Sequence, residues 1–521
     1  MSKVDGLRPT HITLSVLSGI MLVFAFPPFD LYPLAWFGLI PLFVAVHDKG
    51  PRASFLLGLI SGVVFYLGTT YWIFHSVYFY GGIPGVPALL MVLLLSSYLG
   101  LYPAAFSWSF TLLIRKTRFT AILIAPVLWV TLELVRAYAF TGFPWLLLGY
   151  SQYRFLHIIQ IADITGIYGI SFLVAGINGL LFDVAVLWPK RSRRMPLFAP
   201  GLTVTGIVVF ILLLCASLLY GTWRLRSGEG GRQVRVSVIQ GNIEQEKKWD
   251  KRFQKDVINT YRRLSLGVLG ESPDIIIWPE SALPFIYDYD TALTEEFLDF
   301  QRRLKTHLLT GSVVVKDVRD GRPYLSNSAI LLSPEGKVLS IYDKIHLVPY
   351  GEYVPLRRLF PFIEKLVVSI GDFVPGDEYV VMKSPFARIA PLICYEIIFP
   401  GLVRKFVNHG ADMIVTITND AWFGRTSAPY QHFSMAVLRA VENRAPVVRA
   451  ANTGISGFID SRGRIIKRGD IFTEETLTGE VTLRREKTFY TRYGDLFAFL
   501  CIIITILLIT DTFFPEGKRG R

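Results

Sequence analysis

Cysteine is scarce: the 521-residue chain holds three, Cys215, Cys394 and Cys501, far apart from one another. That excludes a disulfide framework and a C-x-x-C metal site. The histidines number eight, and His307, His346, His409 and His432 lack ligand spacing such as H-x-x-x-H, so neither zinc nor another metal is expected. Charge is sparse too. Only 18% of residues are Asp, Glu, Lys or Arg, too few for a disordered chain or a polar soluble enzyme. There is no internal repeat and no low-complexity tract. The net charge of +13 would suit nucleic acid, but a basic excess on a hydrophobic chain marks the loops between membrane spans, and no nucleic-acid partner is expected.

What is abundant is apolar. Hydrophobic residues make up 52% of the chain and the mean hydropathy is +0.42. From Ile12 to Tyr220 the sequence is a series of apolar runs, most near the roughly 20 residues that cross a bilayer as a helix. They read as seven spans: Ile12 to Phe26, Leu31 to Val46, Phe55 to Phe74, Val86 to Ile114, Thr120 to Tyr138, Ile158 to Trp188, and Leu197 to Tyr220. The first two are short and joined by Pro27-Pro28-Phe29-Asp30, so a tight hairpin that barely crosses is an alternative. An eighth span, Leu496 to Phe514, follows near the end.

Lys and Arg fall on alternate loops. Lys3 and Arg8, Lys49 and Arg52, Arg115, Lys116 and Arg118, Lys190, Arg191, Arg193 and Arg194, and Lys518, Arg519 and Arg521 would lie inside; only Arg136 and Arg154 would lie outside. Positive loops resist translocation, so both termini are expected in the cytoplasm and the block between the seventh and eighth spans outside it. A cleaved signal peptide is the alternative for the first 26 residues, but Ala25-Phe26-Pro27-Pro28 is a poor cleavage site. Glu133 and Arg136, three apart, read as a neutralising pair on one helix face, with a headgroup contact as the lesser reading.

The expected organisation is a bundle over residues 1–225, a polar domain over 226–488, and the last span with its tail over 489–521. In the polar block, short β-branched runs alternate with amphipathic stretches, the pattern of an α+β domain. Strands are predicted at Val234 to Gln240, Asp274 to Trp278, Leu308 to Val315, Ser328 to Leu332, Ala387 to Ile393, Met413 to Thr418, Val447 to Ala451 and Ser456 to Asp460. Helices are predicted at Asp250 to Leu269, Thr294 to Thr306, Gly401 to His409 and Gln431 to Asn443.

Three features stand at element ends, where scaffolded chemistry concentrates. Pro279 stops the strand Asp274 to Trp278 and leaves Glu280 at its mouth. Lys344 and Glu352 flank a Pro/Gly turn, and Cys394, followed by Tyr395 and Glu396, ends an apolar strand before a helix. Helix N-terminal amides there would favour a thiolate and bind an oxyanion. Singly, each has a plain explanation: a core cysteine, a solvated turn Glu, a surface Lys beside Asp343.

Together they resemble the nitrilase superfamily, in which a Glu-Lys-Cys triad follows this chain order within a two-sheet αββα sandwich. The spans narrow the resemblance to the apolipoprotein N-acyltransferase family. The segments that carry it are Gln240 to Trp249, Trp278-Pro-Glu280, Lys344 to Glu352, Ile393 to Glu396 and Thr418 to Gly424. The resemblance implies a polytopic helical bundle of about eight spans with an extracytoplasmic nitrilase-like sandwich, in the bacterial inner membrane. It implies no cofactor, a phospholipid as acyl donor and a diacylglyceryl apolipoprotein as acceptor. Glu280 would be the base, Cys394 the nucleophile, and Lys344 with the Tyr395 amide the oxyanion site. Glu352 and Glu396 would orient Lys344 or cap local backbone. Asn327 and Asn419 are amide donors or self-bonding turn residues, and Trp249, Trp422 and Phe423 suit a lipid tail or core packing. The apolar, proline-punctuated segment Val354 to Pro375 reads as a lid or membrane-dipping arm, or as a buried helix.

Other readings stay open at this stage. Cys394 could pair with His346 or His432 as a dyad. The chain could be a membrane-anchored C-N hydrolase, though one span would suffice as anchor, or a transporter with an inert attachment, though few charges lie in the bundle.

Overall fold

A computed structural model describes residues 7–117, 119–187, 200–228, 230–319, 322–353, 373–484 and 486–513. Most of the segment expected to act as a lid, residues 354–372, lies outside them. The chain divides into two compact units, one of Met1–Phe74, Gly85–Arg226 and Tyr493–Arg521, the other of His75–Pro84 and Ser227–Arg492. The expected boundaries near residues 225 and 488 therefore miss one insertion: His75–Pro84, between the third and fourth apolar runs, folds with the polar unit.

The first unit is helical. Among the described residues, five helices are long and apolar enough to cross a membrane: Pro51–Thr70, Gly85–Lys116, Ala121–Tyr138, Ile167–Ala185 and Val204–Arg226. Pro9–Ala25, Tyr32–Val46, Leu156–Thr165 and Leu496–Thr512 are apolar but shorter. Tyr32–Val46 is a 3-10 turn, Tyr32–Trp36, followed by a seven-residue helix, Ile40–Val46. The run expected as one span from Ile158 to Trp188 is broken at Gly166, whose φ of +64° ends the short helix Ala162–Thr165 before Ile167–Phe182 begins. Hydropathy carries no sign of that break, because both pieces are apolar. Trp188 lies outside the described residues.

Small residues and buried polar bonds hold these helices, as expected where lipid removes any hydrophobic drive between them. Pro51–Thr70 meets Gly85–Lys116 where a Cβ on Gly62 would stand 2.8 Å from the Gly100 Cα. Thr111 bonds Ser54 at 2.9 Å in the same pair. Asp183 accepts from the Ala121 and Ile122 amides at 3.1 and 2.9 Å, capping the neighbouring helix. Glu133 and Arg136 do more than offset each other's charge on one helix face. Glu133 accepts from the Leu148 amide at 2.6 Å and Arg136 donates to the Trp145 carbonyl at 2.7 Å, so both hold irregular backbone.

The second unit stacks two sheets. The first contains β1 Gln233–Gln240, β2 Ile275–Ile277, β3 Ile286–Tyr287, β4 His307–Arg319, β5 Arg322–Leu332, β6 Val338–Asp343 and β13 Glu475–Thr482, in the order β13-β1-β2-β4-β5-β6 with β3 beside β4. The second contains β7 Met382–Lys383, β8 Arg388–Ile393, β9 Met413–Thr418, β10 Val447–Ala451, β11 Gly457–Ile459 and β12 Ile465–Arg468, in the order β12-β11-β10-β9-β8-β7. β1, β2 and β4 run parallel, as do β8, β9 and β10.

β1 packs over β10 and β5 over β8. Helices Gln254–Gly267 and Thr291–Leu304 cover the first sheet through Tyr261, Phe297 and Phe300 around Trp278. Helices Pro400–Asn408 and Ala428–Asn443 cover the second. This is a helix-sheet-sheet-helix sandwich. Strands buried on both faces read as unbroken apolar runs, and the predicted strands at β9 and β10 match their observed limits. β3, β6, β7, β12 and β13 were not anticipated; β3 and β7 are two residues long, and β12 is exposed throughout.

Candidate active site

The ends of β2, β6, β8 and β9 converge on one set of buried side chains. Beyond β2, Glu280 is 7% exposed. The next residue, Ser281, has φ +45°, and strand β4 passes so close that a Cβ on Gly311 would lie 2.7 Å from the Glu280 Cα. Trp278 anchors this corner by donating to Ser265 at 2.8 Å. Glu280 Oε1 accepts from Asn327 Nδ2 at 2.7 Å, and Oε2 from the Asn419 amide at 2.9 Å.

Lys344 follows β6. Its ammonium lies 2.9 Å from Glu352 and 3.7 Å from Glu280, and it is 1% exposed. Burial opposes its charge, but Glu352 and Glu280 outweigh burial and raise its pKa, so it remains an ammonium. Glu352 Oε1 also accepts from Asn327 Nδ2 at 2.9 Å, and Oε2 from the Val348 amide at 2.8 Å. Asn327 thus bridges the two carboxylates.

Cys394 stands at the end of β8 with φ +53°, a left-handed conformation that costs about 1–3 kcal/mol in a non-glycine residue. The turn Cys394–Ile398 begins there. The expectation that helix amides would favour thiolate is not met. Burial, and next the charge of Glu280, push the Cys394 thiol well up, with Lys344 and a bond from Thr418 opposing. The resting group is a thiol that needs a base. Glu396 braces the same corner: Oε2 accepts from the Ile393 amide at 2.8 Å, while Oε1 accepts from Tyr342 Oη at 2.6 Å and the Ile345 and His346 amides at 2.8 and 3.1 Å. Those bonds fasten the end of β6 to the end of β8, one strand from each sheet. Tyr395 packs beside Phe399 and the His346 ring.

Asn419 and Asn327, read as amide donors toward substrate, are engaged with protein groups: Asn419 Nδ2 donates to Gln245 at 2.6 Å and its Oδ1 accepts from Asn452 at 3.0 Å. Trp422 is 38% exposed and meets the Tyr80 ring at 5.2 Å. Phe423 lies edge-on to His432 at 6.4 Å. Trp249, partly buried, follows the turn Gln245–Lys248.

Neither histidine faces the thiol as a dyad partner. His432 Nε2 donates to the Cys394 carbonyl at 3.1 Å, which leaves Nδ1 to accept from Arg449 at 3.0 Å. Burial and Arg449 lower its pKa, so the ring is neutral and its 3.2 Å approach to Asp420 is not an ion pair. Asp420 is paired instead with Arg449 at 2.8 Å. His346 is pushed down to about 4 by burial and Lys344, and its ring lies on Phe399 at 3.8 Å.

Two parts of this arrangement escaped sequence reasoning. The Asp420–His432–Arg449 cluster beneath Cys394 joins residues up to 29 positions apart. Lys248 lies within a recognised segment, yet nothing in sequence separates it from its partly exposed neighbour Lys247. Among the described residues, no group of three or more His, Cys, Asp and Glu is placed to hold a metal ion.

Two family models match the chain. One, described as the apolipoprotein N-acyltransferase N-terminal domain, covers residues 18–180; the other, described as carbon-nitrogen hydrolase, covers 235–490. A Geobacter metallireducens protein named apolipoprotein N-acyltransferase is 46% identical over 506 residues, covering 96% of this chain and 95% of its own. A Pasteurella multocida protein of the same name is 32% identical over 494 residues, covering 92% and 91%. Among solved structures, a carbon-nitrogen hydrolase from Helicobacter pylori G27 aligns at a TM-score of 0.38 and 14% identity, covering 55% of this chain and 96% of that one.

Proposed function

Because this chain belongs to the apolipoprotein N-acyltransferase family, a family of membrane enzymes that N-acylate lipoproteins, we propose that it works through Glu280, Lys344 and Cys394 with a phospholipid as acyl donor. The observation that carries the reading is the interlock of Glu280, Lys344, Glu352 and Asn327 around a strand-end cysteine that feels the charges of both Glu280 and Lys344.

Direct transfer would require two lipid-anchored substrates to meet at one reacting centre, and a covalent carrier divides the task. Glu280 takes the thiol proton as Cys394 Sγ attacks the ester carbonyl of the phospholipid. Lys344 and the Tyr395 amide stabilise the oxyanion, which collapses and expels the lysophospholipid alkoxide; Glu280 returns the proton to it. The thioester is then attacked by the α-amine of an N-terminal diacylglyceryl-cysteine. Glu280 takes a proton from that nitrogen and the thiolate leaves, to be reprotonated. Glu352 and Asn327 hold Lys344 and Glu280 in register, and Glu396 holds the two strand ends together. The distribution of Lys and Arg supports an outward-facing catalytic unit with both termini inside, on the periplasmic face of a bacterial inner membrane. Exported lipoproteins would meet it there.

Purified protein should take acyl label from phospholipid onto Cys394 as a hydroxylamine-labile thioester, and pass it to an added diacylglyceryl peptide. Label in a Cys394→Ala protein, or free fatty acid before any amine is added, would replace this reading with a different nucleophile or a hydrolase.

A further inference from the structure

Lys248 is a buried lysine that the mechanism above does not use. It ends the turn Gln245–Lys248, is 1% exposed, and donates at 2.8 Å to the backbone carbonyl of Glu280. An ammonium has three donors, and that carbonyl is its acceptor among the described residues. Any neutral donor would satisfy a carbonyl, whereas burying a full charge is costly unless an opposite charge answers it. The groups acting electrostatically on Lys248 are Glu280 and Cys394. On its own turn, Lys247 is paired with Glu244 at 3.0 Å and Glu246 is exposed.

The charges of the assembly explain why a cation belongs there. Glu280 and Glu352 are two carboxylates, and Lys344 supplies one ammonium within reach of both. With Lys248 charged, the four groups cancel, and they still cancel when the thiol proton moves to Glu280 and the charge to sulfur. Without it, the buried assembly carries a net negative charge at every step. We propose that Lys248 is a positioning residue that pins the Glu280 backbone through its carbonyl and balances the charge that appears on Cys394 each time the thiol gives up its proton. Glu280 is then held from two sides, by Lys248 at its carbonyl and by the bare Gly311 backbone against its Cα.

The assignment rests on the triad reading and deepens it. Burial lowers the Lys248 pKa to about 8, with Glu280 and then Cys394 opposing, so the ammonium is present below pH 8 and lost above it. Acyl-enzyme formation from labelled phospholipid, followed in the full-length protein as a function of pH, should decline above about pH 8. Lys248→Met should form acyl-enzyme roughly 10–100-fold more slowly at pH 7, the effect of one opposite charge, with phospholipid KM within about twofold and no decline near pH 8. Lys248→Arg, whose guanidinium stays charged, should keep most of the rate and also lose the decline; it decides the matter if the Met variant fails to fold. A wild-type profile without the decline, a decline near pH 8 surviving in either variant, or a Lys248→Met protein as fast as wild type overturns the assignment. Cys394→Ala, run alongside, separates the two readings: no thioester on Cys394 in the wild type would sink the triad, whereas a normal thioester with unaffected Lys248 variants sinks only Lys248.

Discussion

Glu280 accepts one hydrogen bond on each carboxylate oxygen, from Asn327 and from the Asn419 amide, and pairs with Lys344 at 3.7 Å, so its carboxylate is held in one orientation. Glu280→Gln should lower turnover by on the order of 10²–10⁴, the usual size of a lost general base. Lys344→Ala should lower it comparably and also destabilise the fold, because buried Glu280 and half-buried Glu352 lose their cation. Thermal melting beside kinetics separates the effects: near-normal melting is expected only for Glu280→Gln, and normal turnover in either variant would remove that residue from the mechanism. A second residue-level expectation concerns Asp420, fully buried, whose carboxyl is held well below its usual range because the Arg449 guanidinium outweighs burial. A depressed folded pKa contributes stability above the unfolded value, near 4, and loses it as pH falls toward the folded value. Asp420→Asn should therefore melt lower than wild type at pH 7, by the equivalent of about 3–5 kcal/mol for a broken buried pair. The gap should narrow below pH 4. An unchanged gap at pH 3 would show that packing, not charge, explains it.

At the scale of elements, the loop after β9 carries much of the burden. Its Asn419 amide holds Glu280, and the turn Asp420–Phe423 ends at Gly424 with φ +60°. The inserted segment grips that turn: Ser76 donates to the Trp422 carbonyl at 2.7 Å, and the His75 ring lies where a Gly424 Cβ would be. Gly424→Ala thus meets both a backbone penalty and a clash. It should lower stability and slow acylation, each by the equivalent of about 1–3 kcal/mol. His75→Ala in the same protein should recover the steric share and leave the backbone share, as a double-mutant cycle would read it. Additivity of the two substitutions would show that His75 does not press on the turn.

For the whole molecule, the proposed orientation, drawn from the Lys/Arg pattern, puts the catalytic unit outside the cytoplasm, where exported lipoproteins would meet it. A reporter fused after Gly228 should behave as periplasmic, and cytoplasmic activity there would overturn the orientation. The apolar helix Val204–Arg226 has only 17% of its apolar window buried within the protein, and Leu212 and Leu219 are 61% and 71% exposed. Such a surface belongs against lipid.

Local sequence determined what depends on neighbouring residues alone. Fully buried strands such as Met413–Thr418 declare themselves by unbroken β-branched runs and the long spans by length and hydropathy, while Glu280, Lys344 and Cys394 are readable as residues at element ends and become a proposed triad only through the family resemblance. Tertiary structure decided everything that depends on which distant backbone approaches which. The exposed edge strand Ile465–Arg468 exists because β11 offers it a partner, not because its own residues demand it. His75–Pro84 joins the polar unit although it interrupts apolar runs, and one apolar stretch breaks at Gly166 without any change of hydropathy. Asn327, chemically an ordinary turn residue, bridges the Glu280 and Glu352 carboxylates only because β5 brings it between them. Lys248 differs from Lys247 in nothing but where the fold puts its ammonium: burial beside a carboxylate and a thiol turns a surface charge into part of a site, and burial is a property of the packed chain rather than of the residue.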